Sequence, residues 1–140
     1  MSTRFTLALH ILTLLASGPR EAMPSDLIAG SLNTNPAFVR RLMGALRRAG
    51  MVTSQPGNGG GWQLAVKPGK LTLHDVRRAL GEDQLFPLHT QKPNPRCPVG
   101  RNIQSALETV YGRAEQAMEK QLRRTTVAGL LRMVEQDSRG

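Results

Sequence analysis

Apolar residues recur along this chain at more than one period, and each change of period marks a boundary between elements. Near the N-terminus the pattern is helical. Thr6, His10, Thr13 and Ser17 are spaced by four, three and four, which lines one side of a helix from about Thr3 to Ser17 with polar groups and turns Leu7, Ile11, Leu14 and Leu15 elsewhere. Gly18-Pro19 stops it. A short second helix starts near Pro24 and is expected to carry Leu27, Ile28 and Leu32 inward. Asn33-Thr34-Asn35 then makes a turn. Asn35 followed by Pro36 is a strong start for a third helix, because the Asn side chain accepts from a free helix N–H and Pro at the first position has none to leave unpaired. In that helix, which ends at Gly50, Phe38, Leu42, Ala45, Leu46 and Ala49 repeat at helical spacing while Arg40, Arg41, Arg47 and Arg48 take other positions.

Two stretches of strand character follow, Met51-Val52-Thr53-Ser54 and Gln63-Leu64-Ala65-Val66, separated by a loop containing Gly57-Asn58-Gly59-Gly60-Gly61. They read as a β-hairpin. Thr72 with Asp75 three residues later resembles a capping box, and Gly81 suits the C-terminal cap of that helix. Residues 82–98 hold prolines at 87, 93, 95 and 98 and form a connector rather than a helix. Beyond it Ile103, Leu107, Val110, Ala114 and Ala117 alternate spacings of four and three, the mark of a long helix from about Val99 to Arg124 with an apolar seam. Thr125-Thr126 then caps a last short helix holding Val127, Leu130, Leu131 and Val134. The fold class is mainly α with a small β-hairpin, divided into residues 1–81, the connector 82–98, and residues 99–140.

A length of 140 residues fits one domain of ordinary size with an added arm and excludes a large multidomain enzyme. Charge changes the picture more. Lys and Arg number 19 against 10 Asp and Glu, a net +9 that calls for a polyanionic partner, nucleic acid or an acidic membrane surface. Residues 27–81 carry eight basic side chains against Asp75 alone, so seven of the nine net charges sit on these fifty-five residues. Cys97 is the single cysteine, which forbids an intrachain disulfide and a multi-cysteine metal site and fits a reducing cytoplasm. Arg4 followed by the apolar stretch Leu7 to Leu15 imitates a secretory signal, but its polar spacing favours a packed amphipathic helix. No apolar run approaches the ~18 residues that span a bilayer.

Helix, short helix, tight turn, Arg-rich helix, then a ribbon with a Gly-rich tip is the order of a winged helix-turn-helix. In that arrangement the third helix enters the major groove, the second braces it across the phosphate backbone, and the ribbon tip reaches a neighbouring phosphate or minor groove. At these residues the chain resembles the Rrf2 family of bacterial transcription regulators. The resemblance runs through Leu27-Ile28-Ala29, the segment from Asn35 to Leu46, Ala49-Gly50-Met51-Val52-Thr53-Ser54, the wing Gly59-Gly60-Gly61-Trp62, and Leu71-Thr72-Leu73-His74-Asp75-Val76, and it continues into the long helix. It implies a dimer that binds operator DNA through the winged domain and pairs through the long helix. Several members hold an iron-sulfur cluster on three cysteines before that helix. This chain has Cys97 alone there and is most similar to the cluster-free, YwnA-like branch, so no cofactor and no metal are expected. Arg40 stands where some cluster-binding members have a glutamate, so the resemblance carries no operator sequence with it.

The expected DNA contacts are Arg40 and Arg41, supported by Thr34, Asn35 and the wing residues Asn58, Gly59 and Gly60. Arg40 and Arg41 lie nearer the helix start than Arg47 and Arg48; such a cluster otherwise reads as a solvated helix face. The glycine loop lacks the Gly-Lys-Ser/Thr of a P-loop and the following helix of a dinucleotide site. Dimerisation is expected through Ile103, Leu107, Val110 and Ala114. Cys97 lies at the start of the long helix between Arg96 and Arg101, a position that suggests a redox-sensing thiol; the alternative is an inert small residue. Trp62 is expected to pack at the wing base, and His10 to be a satisfied core histidine; His10, His74 and His89 are too dispersed for a metal site. No catalytic set stands out, so the chain is not expected to be an enzyme. The leading expectation is a cytoplasmic homodimeric repressor on a palindromic duplex site, with no membrane partner. The competing one is a non-specific nucleic-acid or ribosome-associated binding module.

Overall fold

The computed structural model describes residues 3–18, 22–57, 59–81 and 85–139. Along the chain these form α1 (Arg4–Ser17), α2 (Ser25–Leu32), α3 (Pro36–Arg48), β1 (Val52–Gln55), β2 (Gly61–Leu64), a 3-10 turn (Pro68–Lys70), α4 (Leu73–Leu80), α5 (Pro98–Arg123) and α6 (Val127–Arg139). They fall into two compact units, Met1–Glu82 with Arg123–Gly140, and Asp83–Leu122.

α1 runs through the core of the first unit. Ala8, Ile11 and Leu12 are fully buried, and Thr13 is buried beside them because its hydroxyl donates to the Leu9 carbonyl at 2.6 Å and is left with no unmet bond. The polar side expected of α1 is therefore interrupted. Its remaining members border an apolar groove of about 480 Å³ that includes Leu9 and Leu14 of α1 and Leu130, Leu131 and Val134 of α6. His10 is exposed, with Nε2 3.1 Å from the Ser31 hydroxyl, and not the core histidine that its apolar neighbours suggested. The buried histidine is His74, whose Nε2 accepts from the Arg123 guanidinium at 3.3 Å.

α2 starts one residue after Pro24, which takes the N-cap with extended backbone. Ile28 and Leu32 are buried as expected, but Leu27 is 59% exposed. A helix this short presents one narrow stripe to α1 and α3, and Leu27 lies about 100° round the axis from Ile28. Asn33 turns the chain in the left-handed region at φ 51°, and Asn35 Oδ1 accepts from the Ala37 N–H at 2.8 Å with Pro36 at the first helical position. The buried stripe of α3 is Val39, Leu42, Met43 and Leu46. It shares Leu42 and Leu46 with the expected stripe but turns toward Val39 and Met43, leaving Ala45 half-buried and Ala49 exposed, because the bulkier flank removes more apolar area from water.

The hairpin is antiparallel, with Val52 opposite Leu64, Thr53 opposite Gln63, Ser54 opposite Trp62 and Gln55 opposite Gly61. Its second strand begins earlier than the apolar pattern suggests, at Gly61, and Trp62, opposite Ser54, turns its N–H and carbonyl to the other edge, where they bond to Met23 at 2.8 and 2.7 Å. α4 carries the full capping box: Thr72 Oγ1 accepts from the Asp75 N–H and the Asp75 carboxylate accepts from the Thr72 N–H, each at 3.1 Å. Gly81 closes the helix at φ 60°. Thr126 caps α6 by accepting from the Gly129 N–H at 3.0 Å. The division at residue 99 groups α6 with α5, whereas the bonds of α6 tie it to the first unit: the Val127 N–H donates to Leu71 O at 2.8 Å, the Leu73 N–H donates to Thr125 O at 2.9 Å, and Val127 is fully buried.

In the second unit the connector lies along the first half of α5. Phe86 stacks on Tyr111 with ring centroids 4.9 Å apart, and Gln104 Nε2 donates to the His89 carbonyl at 3.3 Å. α5 is 26 residues long and buries none of them.

Candidate nucleic-acid interface

On α3 the buried and charged faces are opposed. With Val39, Leu42, Met43 and Leu46 turned into the core, Arg40, Arg41, Arg47 and Arg48 are all exposed. Arg40 and Arg41 sit in the helix's first half, and Arg41 lies over the Phe38 ring at 5.9 Å, which holds its stem against the helix. Thr34 is half-buried in the turn before the helix. Asn35 is exposed; its carbonyl oxygen is committed to the cap, which leaves its amide NH2 as a donor at the helix start. A helix of this kind offers cationic and neutral donors to phosphates and base edges from one short stretch.

The wing tip is set by backbone geometry. The Gly60 N–H donates to Gly57 O at 3.0 Å, and a Cβ on Gly60 would stand 2.1 Å from the Gln55 carbonyl oxygen, so this turn admits only glycine there. Gly59 is exposed at the tip beside it. Asn58, the other wing residue expected to reach DNA, lies outside the described residues. At the wing base Trp62 is partly buried against the core, as expected. Sequence reasoning missed its second role: the Arg47 guanidinium lies over its ring, 6.0 Å from the centroid. A lone tryptophan following a glycine run, with an Arg on the preceding helix, is the signal the sequence holds for it.

The other expected sites fall in the second unit. Val99 is 69% and Val110 56% exposed, Ile103 and Ala114 are exposed, and Leu107 is half-buried, so the seam of α5 stands open along its length. Cys97 immediately precedes α5; its carbonyl accepts from the Arg101 N–H at 2.8 Å and its side chain is exposed. Among the described residues no helix is long and apolar enough to cross a membrane.

A helix-turn-helix with a basic recognition helix, followed by a two-stranded wing, defines a winged-helix DNA-binding regulator. Residues 1–133 match the model of the Rrf2 family, described as "Iron-dependent Transcriptional regulator". The chain belongs to the Rrf2 family and is a DNA-binding transcriptional regulator, not an enzyme. It is 39% identical over 123 residues to YwnA of Bacillus subtilis (strain 168), which bears the name of an HTH-type transcriptional regulator, covering 87% of this chain and 90% of that one. It is 32% identical over 122 residues to Protein rrf2 of Nitratidesulfovibrio vulgaris, covering 87% of this chain and 79% of that one. Among solved structures, CymR, the global cysteine regulator of B. subtilis, superposes with a TM-score of 0.73 at 25% identity, covering 95% of this chain and 96% of that one.

The iron in the family's description does not fit this chain. Iron-sulfur clusters are held by sets of thiolates. Cys97 is the only cysteine, and among the described residues no three of His, Cys, Asp and Glu come together as a metal site.

Proposed function

We propose that the protein is a homodimeric repressor that binds a palindromic operator, with α3 in the major groove and the wing on the adjoining backbone. The observation that carries this reading is the opposition of faces on α3: four core residues on one side, and Arg40 and Arg41 exposed on the other at the groove-entering half. In this reading Arg40 and Arg41 contact bases or phosphates, Thr34 and Asn35 fix the helix start on the backbone, and the Asn58-Gly59-Gly60 tip makes the wing contact. Phosphate neutralisation releases counterions and supplies affinity, and bidentate Arg contacts to guanine supply sequence preference.

The dimer is supported by α5. Its apolar seam of Ile103, Leu107, Val110 and Ala114 has no buried member, and such a seam gains free energy by burying against a mate. At 1.5 Å per residue its 26 residues span about 39 Å, enough to hold two recognition helices one duplex turn, ~34 Å, apart. A redox input through Cys97 completes the reading. Peroxide oxidises the Cys97 thiol to a sulfenic acid and is itself reduced to water, or an oxidant such as diamide takes two electrons and two protons from the Cys97 thiols of the two chains and leaves an intermolecular disulfide; either change beside the dimer helices shifts them and the spacing of the recognition helices.

Selection of bound fragments from a genomic duplex library tests the core of this reading. Recovered fragments sharing an inverted repeat with half-sites one turn apart support it. Fragments with no common sequence would make the protein a general nucleic-acid binder instead.

A further inference from the structure

Trp62 is the only aromatic residue of the wing, and both its main-chain N–H and its carbonyl are bonded to Met23. Ser54 of β1 stands opposite it on one edge without taking either of these bonds. On the other its N–H donates to the Met23 carbonyl at 2.8 Å and its carbonyl accepts from the Met23 N–H at 2.7 Å. The approach is close: at Gly61, with φ +149°, a Cβ would stand 2.3 Å from the Met23 carbonyl oxygen. The wing base is thus clamped to the segment that leads into α2. Arg47 is fixed as firmly from the other direction. It lies in the last turn of α3, its carbonyl accepts from the Gly50 N–H at 2.9 Å, and the Leu46 carbonyl accepts from the Met51 N–H at 3.0 Å as the chain turns into β1. From these two anchored backbones the side chains meet, guanidinium over indole.

We propose that Trp62 is a positioning residue for DNA binding: by holding the Arg47 guanidinium on its ring it fixes the angle between the recognition helix and the wing, and so the distance between the two contacts that one winged domain makes on the duplex. This rests on the docking of α3 and the wing given above. It assigns Arg47 a different task from Arg40 and Arg41. A guanidinium seated on a ring at the far end of the helix sets geometry, while the two nearer the helix start meet DNA. Indole is the strongest aromatic partner for a cation, and an exposed pair of this kind changes an equilibrium about two- to fivefold. Freezing the angle before binding spares the complex that ordering cost, which is how a contact remote from DNA raises affinity.

The test uses the full chain and a duplex it selects from a random-sequence pool. Dissociation constants are measured at several salt concentrations for wild type, Arg47→Ala, Trp62→Leu, Trp62→Phe, the double variant Arg47→Ala/Trp62→Leu, and Arg40→Ala, with thermal melting of each. Arg47 is exposed, so Arg47→Ala reports even if Trp62→Leu melts early. The expected result is a two- to fivefold loss in each single variant, no further loss in the double, recovery of most of the affinity in Trp62→Phe, and an unchanged salt slope in Arg47→Ala. Additive losses, or wild-type affinity in Arg47→Ala, overturn the proposal; so does a salt slope flattened by about one, which makes Arg47 a phosphate contact. Arg40→Ala separates the two levels: if it also binds as wild type, the docking of α3 fails, whereas if it alone loses affinity only the role of Trp62 falls.

Discussion

Arg40 and Arg41 are adjacent and both exposed, yet they need not do the same work on DNA. Replacing either with Ala is expected to cost about 1–3 kcal/mol where it reads a base, with relaxed preference at one operator position; where it meets a phosphate, binding weakens on every sequence and the salt slope falls by about one. Binding titrations of the two variants on the selected duplex and on single-base variants of it distinguish these roles. Asn35 acts on the helix instead. Loss of its cap in Asn35→Ala is expected to lower unfolding stability by about 1 kcal/mol, read from denaturant melts, while Asn35→Asp keeps an acceptor and recovers most of that stability. Cys97 makes the sharpest chemical prediction. Diamide is expected to lower operator affinity of the wild type, reductant to restore it, and Cys97→Ser to bind normally and ignore the oxidant; equal responses in both proteins would remove the thiol from the regulation.

Among the elements, those with strong local chemistry are legible in the amino-acid sequence itself. The Asn35-Pro36 start of α3, the Thr72–Asp75 capping box and the Gly81 cap all follow from residues that satisfy or forbid backbone bonds close by in sequence, and the extent of α5 follows from its apolar period. What sequence pattern misses depends on tertiary contact. Leu27 and Leu14 have the same apolar character as their buried neighbours, and only the packing of α2 and of α1 against α6 decides that Leu27 stays out and Leu14 borders a groove. β2 opens early, at Gly61, because Met23, far away in sequence, bonds the outer edge of this strand at Trp62. The helical period alone puts Arg40 and Arg41 on the outer face, whereas Arg47 over Trp62 needs the hairpin folded back on α3. The element with the plainest expectation is α5. Changing Leu107 and Val110 together to Asp is expected to leave a folded monomer by analytical ultracentrifugation and to abolish operator binding; a variant that stays dimeric would move the dimer interface elsewhere.

For the whole molecule, charge and shape together separate a regulator from a general polyanion binder. A net charge of +9 alone attracts any duplex, and that attraction fades steeply with salt whatever the sequence. A dimer that presents two recognition helices at a fixed spacing gains a further term on one sequence only, because both helices then meet their half-sites in register. The decisive measurement is competition at a single physiological salt concentration between the selected palindromic duplex and a random duplex of equal length. The account predicts a preference of ~10³ or more for the palindrome, and a ratio near one would contradict it.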